Sequence, residues 1–206
     1  MARIVVVNLA RNSSYCKEGR EPHEKYNFKE TPLGYYAYFA HRRKKEGEQK
    51  YVQDKKDYKQ IDIVKNFGVN NNADKASNVF VIFVFTKLKE KGKWIAGYYE
   101  NADVYKEPQD KGNPNISKDG KPIIYFFHSE KAENYLPDDS RGPFDITSKE
   151  KGSGFMGRFI WYPKLSNPKV NTIIRKMLLS INKLDILNNC HREEHCGKRF
   201  WKQSAE

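Results

Sequence analysis

Residues 78–108, NVFVIFVFTKLKEKGKWIAGYYENADVYKEP, decide how this chain folds. The first part, Val79 to Phe85, is an unbroken β-branched and aromatic run, the pattern of a strand buried on both faces. A charged turn containing Gly92 follows. A second strand starts near Trp94 and passes through Gly97, Tyr98 and Tyr99 towards Val104 and Tyr105. A glycine inside a strand marks a bulge, or a close approach by a ligand or another backbone, so Gly97 is the position to watch. The aromatic residues crowded around it, on a basic chain, suggest a surface for nucleobases.

Outward from this hairpin, short strands are predicted over residues 3–9, 33–41 and 123–128, with a glycine-punctuated stretch over 152–163 ending in another. Residues 61–67, IDIVKNF, alternate as a strand end leading to Gly68. Residues 10–32, 42–60 and 107–122 read as loops, the second of them a charge-rich insertion. Residues 129–136 have helical composition, with Ser129 as cap and Pro137 as stop, and 138–145 read as a turn. The best helix spans 170–188, where Ile173, Ile174, Met177, Leu178, Ile181 and Leu184 share one face. The expected class is α+β: a small twisted sheet or partly closed β-barrel, mostly antiparallel, with flanking helices and a C-terminal helix. Residues 1–168 form the barrel domain, and 169–206 the helix and basic tail.

The 206 residues carry 38 Lys and Arg against 26 Asp and Glu, a net charge of +12 that favours polyanionic partners. Three cysteines in a chain of this length do not make a disulfide scaffold. The N-terminal apolar run, Ile4 to Val7, is too short for a signal-peptide core, and no segment has membrane-spanning length. The expectation is a cytoplasmic protein without a membrane partner.

Adjacent strand residues face opposite sides, so of Tyr35 and Tyr36, and of Tyr98 and Tyr99, one of each pair is expected on an outer face or a pocket rim. A ring there stacks a base at ~1–3 kcal/mol. The alternative is half-buried sheet tyrosines with wet hydroxyls. Basic turns carrying Arg42, Arg43, Lys89 and Lys93 would hold phosphates beside such a sheet, or simply be solvated. Cys190, His191, His195 and Cys196 resemble a metal-ligand set, but all four fall within seven residues, a poor spacing for a closed tetrahedral site. Signatures of metalloproteases, serine hydrolases and P-loops are absent, and so is a metal-nuclease carboxylate pattern. The expectation is no catalytic residue, no metal and no cofactor.

WIAGYYENADVYKEP resembles a run found in the reader domains of modification-dependent restriction proteins, often fused to HNH nucleases. Gly97, Tyr99, Asn101, Ala102, Val104 and Tyr105 fit that run; Tyr98 and Lys106 stand where tryptophan and arginine are usual. AENYLPDDSRGPFDI (residues 132–146), GYYAYF (34–39) and IDIVKNFG (61–68) extend the likeness over roughly residues 30–165. The chain also looks like the wider EVE, YTH and PUA-like group, small β-barrels with flanking helices.

This resemblance implies an aromatic pocket for a flipped, modified base in double-stranded DNA, serving a restriction or defence system together with a separate or fused nuclease. Trp94, Tyr98, Tyr99, Tyr35 and Tyr36 are the candidate walls. Asn101 and Asp103 would bond the base edge, and Lys106 and Arg141 the flanking phosphates. Two other readings stand beside it: a small metal-dependent nuclease or toxin-like enzyme acting on nucleic acid, and a protein-interaction or inhibitor module.

Overall fold

The hairpin predicted from residues 78–108 is the spine of the molecule. A computed structural model describes residues 3–9, 27–37, 58–86, 92–116, 120, 122–135, 141–146 and 160–187. Its elements are β1 (Arg3–Asn8), β2 (Tyr35–Ala37), α1 (Ile63–Phe67), β3 (Lys75–Phe85), β4 (Lys93–Gln109), β5 (Tyr125–Ser129), β6 (Lys131–Asn134), β7 (Arg141–Phe144), β8 (Ile160–Trp161) and α2 (Pro168–Ser180). The eight strands form one mixed sheet in the order β2-β5-β4-β3-β1-β8, with β6 and β7 also paired to β4. The fold is therefore α+β. The path is open: among the described residues no pairing joins β2 to β8.

Strand β4, 17 residues long, organises the rest. One edge pairs with β3 from Trp94 to Tyr105, with three register shifts along the way. The other edge is shared in succession by β7 at Lys93–Ile95, β6 at Gly97–Glu100 and β5 from Asp103 onward. β1 lies inside the sheet between β3 and β8, and runs parallel to β3. A parallel neighbour explains why VVV in β1 and VFVIFVF in β3 read as continuous apolar runs: both faces of both strands are covered.

Three sequence expectations are corrected. Residues 61–67 are not a strand end. Asp62 Oδ1 accepts from the Lys65 N–H at 3.0 Å, and Gly68, at φ 62, closes α1 with its N–H on the Val64 carbonyl. The apparent Ile61–Ile63 alternation only flanks a helix cap, while the buried pair Ile63 and Phe67 has helical spacing. Residues 131–134, KAEN, are a strand despite helix-forming composition, because the open edge of β4 offers backbone partners from Gly97 to Glu100. Residues 141–144, expected in a turn, pair with β4 as β7 for the same reason. The terminal helix is as predicted but stops at Ser180, ahead of the left-handed Asn182 at φ 55.

The sheet has a core on each face. One face gathers Val5, Val79, Val81, Phe83, Tyr99, Val104 and Phe127 with α1. The other gathers Ile4, Phe80, Ile82, Tyr98 and Trp161 under the α2 residues Val170, Ile174, Met177 and Leu178. This overturns the inference that one of Tyr98 and Tyr99 must reach solvent. They do point to opposite sides, but both sides are covered, and they are 3% and 0% exposed. The Tyr98 hydroxyl donates to Glu133, and that of Tyr99 to the Asn27 carbonyl.

Burial, then the neighbouring Glu133 carboxylate, pushes the Tyr135 hydroxyl up to about 12. Burial likewise raises Tyr98, Tyr99, Tyr125 and Tyr162. The unfolded chain releases these protons near pH 10 while the folded chain keeps them, so stability is intact below about 10 and falls above it. Denaturant midpoints measured from pH 8 to 11.5 should drop beyond pH 10; a flat profile would refute the tyrosine burial. No helix among the described residues is long and apolar enough to cross a membrane.

Candidate functional site

Helix α2 covers only part of its face of the sheet. Beyond it, four strands present a polar and aromatic row. Tyr36 of β2 faces His128 of β5, which faces Asp103 of β4, and the Asp103 carboxylate accepts from Ser77 of β3 at 2.6 Å. Directly opposed residues share a face with their side chains in reach, so the register assembles Tyr36, His128 and Asp103, and Ser77 joins them by its hydrogen bond where β3 bulges. The other Asp103 oxygen takes Lys75 Nζ at 2.6 Å, and this hydrogen bond holds the Lys75 ammonium above its ordinary value. The Tyr36 ring packs 4.8 Å from His128 and 4.9 Å from Tyr125, whose ring meets Tyr105 at 5.6 Å.

Two cavities flank the row, and both include His128 and Glu130 in their walls. One, of about 260 Å³, is lined by Glu100, Asn101, Asp103, Ser129 and Lys131 as well. It sits where β4 exchanges β6 for β5. Glu100 still faces Lys131 and Asp103 already faces His128, but Asn101 and Ala102 carry no ladder partner on that edge. Bulging accounts for this gap. The β3–β4 register slips around Asn78 and Asn101, both at positive φ (57 and 49), a conformation asparagine tolerates better than most residues. Ser129 holds the gap open, its hydroxyl donating to the Glu100 carbonyl at 2.5 Å and accepting from the Lys131 N–H at 3.0 Å. The second cavity, of about 620 Å³, lies between β2 and residues 30–34, with Tyr35 and Tyr36 in its wall.

The orientation of His128 follows from its partner. Its Nε2 lies 2.7 Å from the Leu33 carbonyl oxygen, which only accepts, so Nε2 carries the hydrogen. In the neutral ring, Nδ1 is then the acceptor.

The residues singled out from sequence divide. Tyr35, Tyr36, Asn101 and Asp103 line the two cavities. Tyr98 and Tyr99 are sealed in the two cores, and Trp94, half-buried, packs against the core around Tyr99. Gly97 is a close approach, as expected, but not by a ligand: a Cβ there would meet the Glu133 carbonyl oxygen at 2.2 Å and the Phe28 ring at 2.5 Å. Lys93 is no surface phosphate contact. It is buried, and its ammonium donates to Asn8 at 2.9 Å and Thr86 at 2.7 Å, tying the ends of β1 and β3 to the start of β4. Arg141 stacks its guanidinium 5.2 Å over the Tyr135 ring, and Lys106 is half-buried on β4, both away from the cavities. Arg42, Arg43, Lys89 and the Cys190–Cys196 cluster lie outside the described residues. Among the described residues no group of His, Cys, Asp and Glu is placed to hold a metal ion.

No family model, curated protein or solved structure matches this chain.

Sequence reading missed His128 and Ser77. A histidine in the apolar run IIYFFHS was a usable signal, since a polar residue there faces either a partner or solvent. Ser77 carried none: it reaches Asp103 only through the β3 bulge.

Proposed function

We propose that the protein is a nucleic-acid-binding reader that accepts a modified, flipped base of DNA in the cleft at His128, on a sheet of PUA-like type, within a restriction or defence system. The observation carrying this is the cross-strand row with a cavity on either side. It gathers around one imidazole two of the tyrosines and both edge-bonding residues drawn from the sequence. The larger cavity falls in the roughly 300–1,000 Å³ range of small-ligand sites. Tyr35 and His128, both half-buried, supply ring surface, the buried Tyr36 backs the imidazole, and Asp103 supplies an acceptor fixed in place by Ser77 and Lys75. The net charge of +12 supports binding of the chain to a polyanion, while the cleft walls themselves carry Glu30, Glu100, Asp103 and Glu130 against Lys131. Cleavage, in this reading, belongs to a nuclease domain or partner.

The test is a binding panel of duplexes carrying 5-methylcytosine, 5-hydroxymethylcytosine, N6-methyladenine or no mark, at two salt concentrations. One marked duplex should bind at least ten-fold tighter than the unmarked one, with affinity for all falling as salt rises. Asp103→Asn and His128→Ala should each cost about ten-fold on the preferred duplex, the worth of one edge bond or stack. Trp94→Ala should leave affinity unchanged. Equal affinity for all four duplexes removes the modified-base reading. Absence of binding at low salt removes the nucleic-acid reading and leaves a protein-interaction module.

A further inference from the structure

Residues 27–34 cross the sheet as a strap from the middle of β4 to the rim of the larger cavity. Two glycines permit the crossing. At one end the Phe28 ring lies against Gly97, edge-on to Phe83 at 5.4 Å and Tyr99 at 5.9 Å, while the Asn27 carbonyl takes the Tyr99 hydroxyl. At the other end Gly34, at φ 98, lies so close to β5 that a Cβ would stand 2.5 Å from the Ser129 carbonyl oxygen. Between these anchors a tight turn is closed by reciprocal backbone bonds of Thr31 and Gly34, at 3.2 and 3.0 Å. The Thr31 hydroxyl secures it, donating to the Gly34 carbonyl at 2.6 Å and accepting from the Leu33 N–H at 3.2 Å. The turn aims the Leu33 carbonyl at His128 Nε2, while the Leu33 side chain is left 59% exposed.

Leu33 thus spends its side chain on solvent and its carbonyl on the imidazole. We propose that this strap is a positioning device: through the Thr31 turn it fixes His128 with the hydrogen on Nε2, so that an occupant of the cleft meets Nδ1 as the free ring nitrogen. Thr31 is the positioning residue. The strap also forms the outer wall of the 620 Å³ cavity through residues 30–34, so an occupant touches the strap and the imidazole together. Ligand entry and strap order are then coupled, because the contact that fixes the ring also closes the cavity. This inference rests on the cleft being a base-binding site, and deepens that reading.

The test compares Thr31→Ala with Thr31→Ser in the full chain. Thr31 is half-buried in the strap and outside both cores, so the alanine variant should fold. In the wild type, the two His128 ring nitrogens should give widely separated ¹⁵N shifts with the hydrogen on Nε2, and Thr31→Ala should bring them towards each other. Affinity for the preferred duplex of the panel should fall about five-fold, as expected for one neutral hydrogen bond. Thr31→Ser should restore both readouts. Added duplex should slow hydrogen exchange at the Leu33 and Gly34 amides. A wild type that binds the marked duplex, with Thr31→Ala unchanged in both affinity and ¹⁵N shifts, overturns the strap while leaving the reader intact. Absence of binding by the wild type to every duplex overturns both.

Discussion

Gly97→Ala should cost at least about 3 kcal/mol, the upper range for overpacking a filled interior. The added methyl group would stand 2.2 Å from the Glu133 carbonyl oxygen and 2.5 Å from the Phe28 ring. A flexible side-chain tip would move aside, but neither obstacle is one. The carbonyl belongs to β6, whose pairing with Gly97, Tyr98, Tyr99 and Glu100 fixes its backbone. The ring is held edge-on by Phe83 and Tyr99. On the other edge Gly97 pairs with Phe83 of β3, so it cannot retreat either. For a chain of this size the melting temperature should fall by roughly 6–12 °C, at 2–4 °C per kcal/mol. Adding Phe28→Ala to Gly97→Ala should recover only part of the loss, because the carbonyl contact remains. A single variant melting within 2 °C of the wild type would show that β6 does not lie where it is described.

Phe83→Ala should be at least as damaging, at about 3–5 kcal/mol, the cost of truncating a fully buried phenylalanine. Its ring is 0% exposed and meets Tyr99 at 4.9 Å, Phe28 at 5.4 Å and Phe127 at 6.2 Å. Those three rings come from β4, the strap and β5, so no single element can collapse into the void. The strap should loosen first, since Phe28 loses a partner while β4 and β5 keep their ladders. Hydrogen exchange should rise at residues 27–34 before it rises in β4. Phe83→Leu, which refills most of the volume, should recover more than half of the loss. Equal destabilisation by alanine and leucine would mean that ring geometry, rather than volume, holds the junction.

Both predictions concern residues whose type was informative in the sequence but whose role was not. Gly97 was legible as a close approach, because a glycine among aromatic strand residues has few other reasons to be there. What approaches it was not legible, since Phe28 lies 69 positions earlier in a stretch without strand or helix periodicity. Tyr98 and Tyr99 were placed correctly on opposite faces. They were assigned to a pocket on the premise of a sheet with one wet side, and α2 removes that premise by covering the second side. KAEN at 131–134 has the composition of a helix and the structure of a strand, because the free edge of β4 satisfies its backbone more fully than an isolated helical turn would.

The amino-acid sequence by itself determined the β3–β4 hairpin, the β1 strand, the terminal helix and the excess of positive charge. Each is written in local periodicity or in composition, which neighbouring residues carry without reference to distant ones. Only the tertiary structure decided that β1 runs parallel beside β3, that three strands share one edge of β4, and that Tyr36, His128, Asp103 and Ser77 fall in line. Those facts depend on strand register and on two bulges at asparagines, and a shift of one residue would turn every side chain in the row to the opposite face.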